Sequence, residues 1–230
     1  MRRSIDVVGA FFGLTLLSPV LIAILFLVWM QDKHSPFYVA QRAGKNGVPF
    51  RMVKIRSMIQ GADKTGVEST GLADWRITKL GHFIRRTKID EILQLWNVLK
   101  GDMSLVGPRP NTLKETASYD AEQIHLLDVK PGITDFSSIV FSDEGDIIKD
   151  SLDPDAAYFQ LIWPWKSKLG LLYARHASAG LDLRLIWITL VAIRDRAAAL
   201  RQLQPVLACY TQDAKLLEVS RRQGSLSQFL

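Results

Sequence analysis

Two hydrophobic regimes divide the chain. Residues 7–30, "VVGAFFGLTLLSPVLIAILFLVWM", carry no charge, whereas beyond them apolar and polar positions alternate at short range. As one helix that run would be about 36 Å long, enough to cross a hydrocarbon core of about 30 Å. It is too long for the core of a secretory signal and lacks a small-residue cleavage site with a polar start after it. Ser18-Pro19 lies near its centre. Proline removes a backbone donor and crowds the preceding turn, and a serine hydroxyl can satisfy the carbonyl this frees. Two courses are open: a spanning helix kinked at the pair, or a helix that turns back there and leaves by the face it entered, each half about 18 Å long. Arg2 and Arg3 precede the run and Lys33, Arg42 and Lys45 follow it. Basic flanks on both sides show no positive-inside asymmetry, as a course with both ends in the cytoplasm requires.

Further on, "PFYVAQR" and "VPFRMVKIRSM" are rich in β-branched and aromatic residues around the turn-forming "AGKNG", which predicts a β-hairpin within 35–58. Residues 60–75 read as a loop, 79–100 as a helix closed by Gly101, "SLVGPRP" (104–110) as a compact turn, 111–128 as a helix and "VKPGIT" as a second turn. The stretches 158–176 and 181–200 are helical and aromatic. In them Trp163, Trp165, Tyr173 and Trp187 are interleaved with Lys166, Lys168, Arg175 and Arg184. That mixture suits a membrane interface, and equally core helices with one solvated face. The division expected is a membrane helix (1–34), a main domain that includes the aromatic and basic helices (35–204) and a tail (205–230) without readable chemistry.

Composition narrows the partners. A net charge of +6 favours an anionic ligand, be it phosphorylated compound, nucleic acid or acidic lipid. No nucleic-acid recognition motif accompanies the charge. The single cysteine, Cys209, excludes an internal disulfide framework, and the four histidines show no zinc-ligand spacing.

Asp90 and Glu91 stand together at the head of an otherwise apolar stretch, "TKIDEILQLWNVL". On a helix Asp90, Gln94 and Asn97 form a narrow polar stripe. Thr87-x-x-Asp90 matches a capping box, in which Asp90 only ties down the helix start. A carboxylate in a first helical turn could instead attack phosphorus, or hold a divalent metal with its neighbour. Arg85, Arg86, Lys88 and Arg109 lie nearby in sequence and could neutralise phosphate oxygens during a transfer.

"GHFIRRTKIDEILQLWNVLKGDMSLVGPRP" (81–110) resembles the signature block of the bacterial sugar transferases, the monotopic phosphoglycosyltransferases. The resemblance extends to the apolar segment with Ser18-Pro19, to "FRMVKIRSM" (50–58) and to "KPGIT" (130–134). It implies an α+β, mostly helical fold: a re-entrant membrane helix broken at Ser18-Pro19, a small β-hairpin and amphipathic interfacial helices around a cytosolic active site. By matching position it makes Asp90 the nucleophile on a UDP-sugar, with release of UMP and transfer of sugar-1-phosphate to polyprenyl (undecaprenyl) phosphate in surface-polysaccharide assembly. Glu91 would bind Mg²⁺ with Asp90 or activate the acceptor. Lys54, Arg56, Arg85 and Arg109 would surround the phosphates. The location implied is the cytoplasmic face of the bacterial inner membrane. Two departures stand out. "IDEILQL" lacks the family's usual proline before the glutamine, which should favour helix continuity, and residues 135–160 are more acidic than the usual "GWAQVNGR" pattern. An inactive membrane-anchored scaffold of the same fold is the alternative, and a basic lipid-binding module a third reading.

Overall fold

The apolar run forms a single helix, α1 (Arg2–Asp32), in a computed structural model that describes residues 1–62, 74–149, 151–224 and 226. Helical backbone continues through Ser18-Pro19, so the pair does not interrupt it, and Ser18 Oγ donates to Thr15 O at 2.8 Å. One face of α1 is packed along its length. Ala10, Leu21, Ile24 and Val28 are buried, while Phe11, Phe12, Leu16, Ile22, Phe26 and Met30 are exposed. Among the described residues α1 is the one helix long and apolar enough to cross a membrane.

The hairpin follows as predicted: β1 (Phe37–Ala43) pairs antiparallel with β2 (Pro49–Ile55), Val39 opposite Val53. The loop expected at 60–75 falls largely outside the described residues. The helix expected over 79–100 is divided into α2 (Lys79–Arg86), a 3-10 turn (Ile89–Glu91) and α3 (Gln94–Lys100). Next come β3 (Ser104–Val106), α4 (Leu113–Ala117), a 3-10 segment (Gln123–Asp128) and β4 (Gly132–Thr134). The two "turns" of the sequence are thus strands, paired in parallel with Ser104 opposite Gly132. Gly107 and Gly132 meet there so closely that neither has room for a Cβ. The predicted 111–128 helix is only two short pieces.

The remainder is helical: α5 (Phe136–Val140), α6 (Glu144–Ile147), α7 (Pro154–Ala157), a π-turn (Tyr158–Ile162), α8 (Trp163–His176), α9 (Ala179–Arg194), α10 (Arg196–Ala208) and α11 (Ala214–Arg221). The main core gathers Phe136, Leu169, Tyr173, Leu185, Leu203, Leu207 and Val219. Of the two stretches read as interfacial, α8 is a core helix, with Trp165, Leu169 and Tyr173 buried. By contrast, α9 presents Leu183, Trp187, Leu190 and Ile193 to the outside. Residues after 205 continue α10 and add Leu207, Leu216 and Val219 to the core.

Polar contacts fasten both ends of α1 to this body. Arg2 Nε donates to Asp182 Oδ2 at 2.6 Å, at the start of α9. Arg3 donates to Val98 O (2.5 Å) and Leu99 O (2.7 Å), carbonyls of the last turn of α3, where a cation is favoured. Asp6, buried, accepts from Ser104 Oγ at 2.9 Å and Leu105 N at 2.8 Å. At the far end Asp32 receives both terminal nitrogens of Arg56, at 2.5 and 2.7 Å. Between these points Gly9 and Gly13 allow Leu105 and Leu95 to approach the helix. Asp6→Ala would leave a buried amide and hydroxyl unpaired. The expected loss is about 1–3 kcal/mol, a fall of roughly 2–12 °C in the melting temperature of the detergent-held protein. Asp6→Asn, which keeps an acceptor, should lose less.

Candidate active site

Helix α2 ends where Thr87 turns its hydroxyl back, donating to Phe83 O at 2.8 Å. Lys88 then adopts a left-handed backbone, φ 57°. The break has a packing reason. Ile84, Ile89, Ile92 and Leu93 all pack with α1, and on an unbroken helix they would spread over about half the circumference. Thr87 is therefore the end of one helix and not the cap of the next, and Asp90 makes no capping bond. Asp90 and Glu91 project from the short turn between.

Glu91 is fully engaged. Arg109 grips it with two bonds, Nη2 to Oε1 at 2.5 Å and Nη1 to Oε2 at 3.0 Å, and Lys54 Nζ donates to Oε1 at 3.3 Å. Burial opposes its charge, but the fields of Arg109 and Lys54 prevail and hold its carboxyl well below the usual range. The same pairing raises Arg109 above the ordinary arginine value. Arg109 is itself fixed by its flanks. Pro108 O accepts from Gly132 N at 2.9 Å, and Asn111 O accepts from Ala43 N at 3.0 Å. Prolines at 108 and 110 restrict the backbone on either side of it.

Asp90 differs from its neighbour. Its side chain is 14% exposed and accepts no hydrogen bond among the described residues; Lys54 Nζ stands 4.0 Å away. Burial pushes its carboxyl above the usual carboxylate value, with Glu91 adding to the rise and Lys54, Arg85 and Arg109 opposing it. Arg85, on the last turn of α2, has its own pKa lowered by burial, against the pull of Asp90. Lys54, Arg85 and Arg109 therefore converge on the carboxylate pair. Arg56 is placed elsewhere, in the clamp on Asp32, and Ser18-Pro19 lies in mid-helix.

Two neighbouring side chains have roles the polar stripe did not reveal. Asn97, fully buried, accepts from Val53 N at 3.0 Å and donates to Arg51 O at 2.7 Å, fastening α3 to β2 and so Lys54 to the turn. Gln94, also buried, leaves its amide nitrogen unpartnered among the described residues. A buried asparagine at one helical turn from another amide was the available signal; the strand it binds could not be named from spacing. Asp90 and Glu91 offer hard oxygen donors of the kind Mg²⁺ takes alongside substrate phosphates. Of the two carboxylates only Asp90 is free of hydrogen bonds among the described residues, so a cation fits at its oxygens first. Among the described residues no group of three or more acidic, histidine or cysteine side chains is placed to hold a metal ion by itself.

Residues 1–196, which include this whole constellation, match the family described as bacterial sugar transferase. The chain belongs to that family. It is 38% identical over 149 residues to the UDP-galactose-lipid carrier transferase of Erwinia amylovora, covering 58% of this chain and 31% of that protein. It is 31% identical over 170 residues to the UDP-N-acetylgalactosamine-undecaprenyl-phosphate N-acetylgalactosaminephosphotransferase of Aeromonas hydrophila, covering 72% of this chain and 40% of that one. The uncharacterized sugar transferase EpsL of Bacillus subtilis is 32% identical over 189 residues, with 82% and 85% covered. The chain thus spans well under half the length of the first two relatives.

Arg109→Gln should break the Glu91 grip and cost up to about 3 kcal/mol at neutral pH, because a partly buried carboxylate loses its main partner. Glu91, with its folded pKa depressed, contributes stability above its unfolded value of about 4.3 and loses it as pH falls through the lower folded value. The difference in melting temperature between wild type and Arg109→Gln should therefore narrow below about pH 4.

Proposed function

We propose that this transferase moves sugar-1-phosphate from a UDP-sugar to polyprenyl phosphate, undecaprenyl phosphate in a bacterium, through a covalent intermediate on Asp90. The observation that carries the reading is the division of labour in the carboxylate pair. Glu91 absorbs Arg109 and Lys54, while Asp90 stays unbonded at the edge of the same positive field. The names of the Erwinia and Aeromonas relatives, a UDP-galactose-lipid carrier transferase and an undecaprenyl-phosphate phosphotransferase, support the substrate classes.

In the first step an Asp90 oxygen attacks the β-phosphorus and forms a P–O bond. The bond to the bridging oxygen breaks, and UMP leaves with the electron pair. In the second, a phosphate oxygen of the lipid attacks the same phosphorus. The acyl-phosphate bond breaks, the Asp90 carboxylate is restored, and polyprenyl-diphospho-sugar departs. Lys54, Arg85 and Arg109 bind the diphosphate and offset the charge on the departing phosphate. Asp90, with Glu91 once the diphosphate draws Arg109 and Lys54 away from it, would hold Mg²⁺. Bound there, the ion would neutralise phosphate charge.

A membrane course of one-sided insertion goes with this chemistry. Arg2, Arg3 and Asp6 at one end of α1 and Asp32 at the other bind the same body, which supports both ends lying on the cytoplasmic side, although α1 itself is continuous through Ser18-Pro19. The soluble nucleotide sugar and the lipid phosphate would then meet at the interface beside α1.

The test is release of UMP by the detergent- or nanodisc-held protein with Mg²⁺, undecaprenyl phosphate and a panel of UDP-sugars. One or two sugars should yield UMP, and Asp90→Asn should reduce it by at least about a thousandfold. UDP in place of UMP would exclude phosphosugar transfer. With the active sugar, the acid limb of kcat/KM should lie above the ordinary aspartate value of about 3.9, because Asp90 must be ionised to attack and burial raises its pKa. Lys54→Met removes a cation that favours the anion and should shift that limb to still higher pH.

A further inference from the structure

Helices α10 and α11 enclose a groove of about 630 Å³ lined by Arg196, Leu200, Arg201, Gln204, Arg221 and Arg222. Apart from Arg196, these residues lie beyond the family-matched segment, and none belongs to the Asp90 constellation. Two of the arginines build the wall. Arg196 donates to Ser142 Oγ at 2.9 Å, Val140 O at 3.0 Å and Asp143 Oδ1 at 2.8 Å. Arg222 donates to Asp143 Oδ2 at 3.2 Å and lies over the Phe141 ring. The Arg222 side chain is only 10% exposed, and its Nε has no partner among the described residues. Asp143 is thus shared between two guanidinium groups, with Asp146 farther off. Arg201 and Arg221 are exposed and make no ion pair among the described residues. Four guanidinium groups around a concavity with one bonded carboxylate leave uncompensated positive charge, concentrated where field lines converge.

A second feature precedes it in the chain. Leu183, Trp187, Leu190 and Ile193 form one stripe of α9, 55%, 62%, 57% and 79% exposed, and the stripe ends three residues before Arg196. An exposed apolar stripe followed in the chain by a basic groove suits an amphiphile, with an apolar part for the stripe and an anionic group for the arginines. The groove's volume lies within the range that holds small organic ligands.

We infer that this groove is a second anion site, which takes a phosphate ester, either a lipid headgroup or a soluble compound. Its occupancy does not depend on the Asp90 reaction. Bidentate guanidinium contacts would hold the phosphate, with Gln204 as a neutral donor and Leu200 as the apolar floor.

The experiment measures binding of short-chain phosphatidylglycerol, phosphatidylcholine and inorganic pyrophosphate to the full chain in neutral detergent by native mass spectrometry. Three proteins are compared: wild type, Arg201→Gln/Arg221→Gln, and Lys45→Gln/Lys149→Gln, which removes the same charge from exposed positions elsewhere. A phosphatidylglycerol preference over phosphatidylcholine that falls about tenfold or more in the arginine pair but not in the lysine pair would establish a lipid headgroup site. The same pattern for one equivalent of pyrophosphate would establish a soluble phosphate ligand. Binding of both ligands unchanged by the arginine substitutions, or weakened equally by the lysine pair, would overturn the inference.

Discussion

The grip of Arg109 and Lys54 on Glu91 joins three parts of the chain that are distant in sequence. Lys54 comes from the hairpin, Glu91 from the turn between α2 and α3, and Arg109 from the proline-flanked segment after β3. Each would be costly to desolvate alone, and each is partly buried in the company of the others. The cluster is therefore both structural and electrostatic. It sets the orientation of the turn, and it sets the field in which Asp90 sits without a bond of its own. A site arranged in this way keeps the Asp90 carboxylate close to cations but without a hydrogen bond among the described residues, its nearest ammonium being Lys54 Nζ at 4.0 Å.

The second organising element is the double fastening of α1. A helix attached only by an apolar face could slide or tilt in a bilayer. Directional bonds at Arg2, Arg3 and Asp6, and the paired bonds of Arg56 to Asp32, fix its position against α9, α3, β3 and the residue that follows β2. The same helix packs against Ile55, Ile84 and the apolar residues around Asp90. The long apolar helix and the candidate site therefore share a wall, and a change in the tilt of one is felt in the other.

Much of this was readable in the residues. The uncharged run, the hairpin with its "AGKNG" turn and the grouping of Asp90 and Glu91 with Lys54, Arg85 and Arg109 follow from local pattern and motif. What was not readable depends on contacts between distant segments. The 79–100 stretch has helical periodicity throughout, yet packing of Ile84, Ile89 and Leu93 on α1 favours a break at Lys88. "SLVG" and "KPGIT" have the glycines and prolines of turns, but they pair with each other because Gly107 and Gly132 permit close approach. Arg56 lies in a basic motif next to Lys54, but its position just past the end of β2 directs it to Asp32. The aromatic and basic content of α8 and α9 is similar, and only packing distinguishes the core helix from the exposed one.

Asn97 has a consequence that reaches beyond the site. A two-stranded ribbon has two open edges, each a template on which a foreign strand can add. By bonding to Val53 N and Arg51 O, Asn97 occupies the side of β2 that β1 leaves free. One amide side chain thus gives the hairpin protection against edge-to-edge association that larger sheets obtain from charges, bulges or a covering helix.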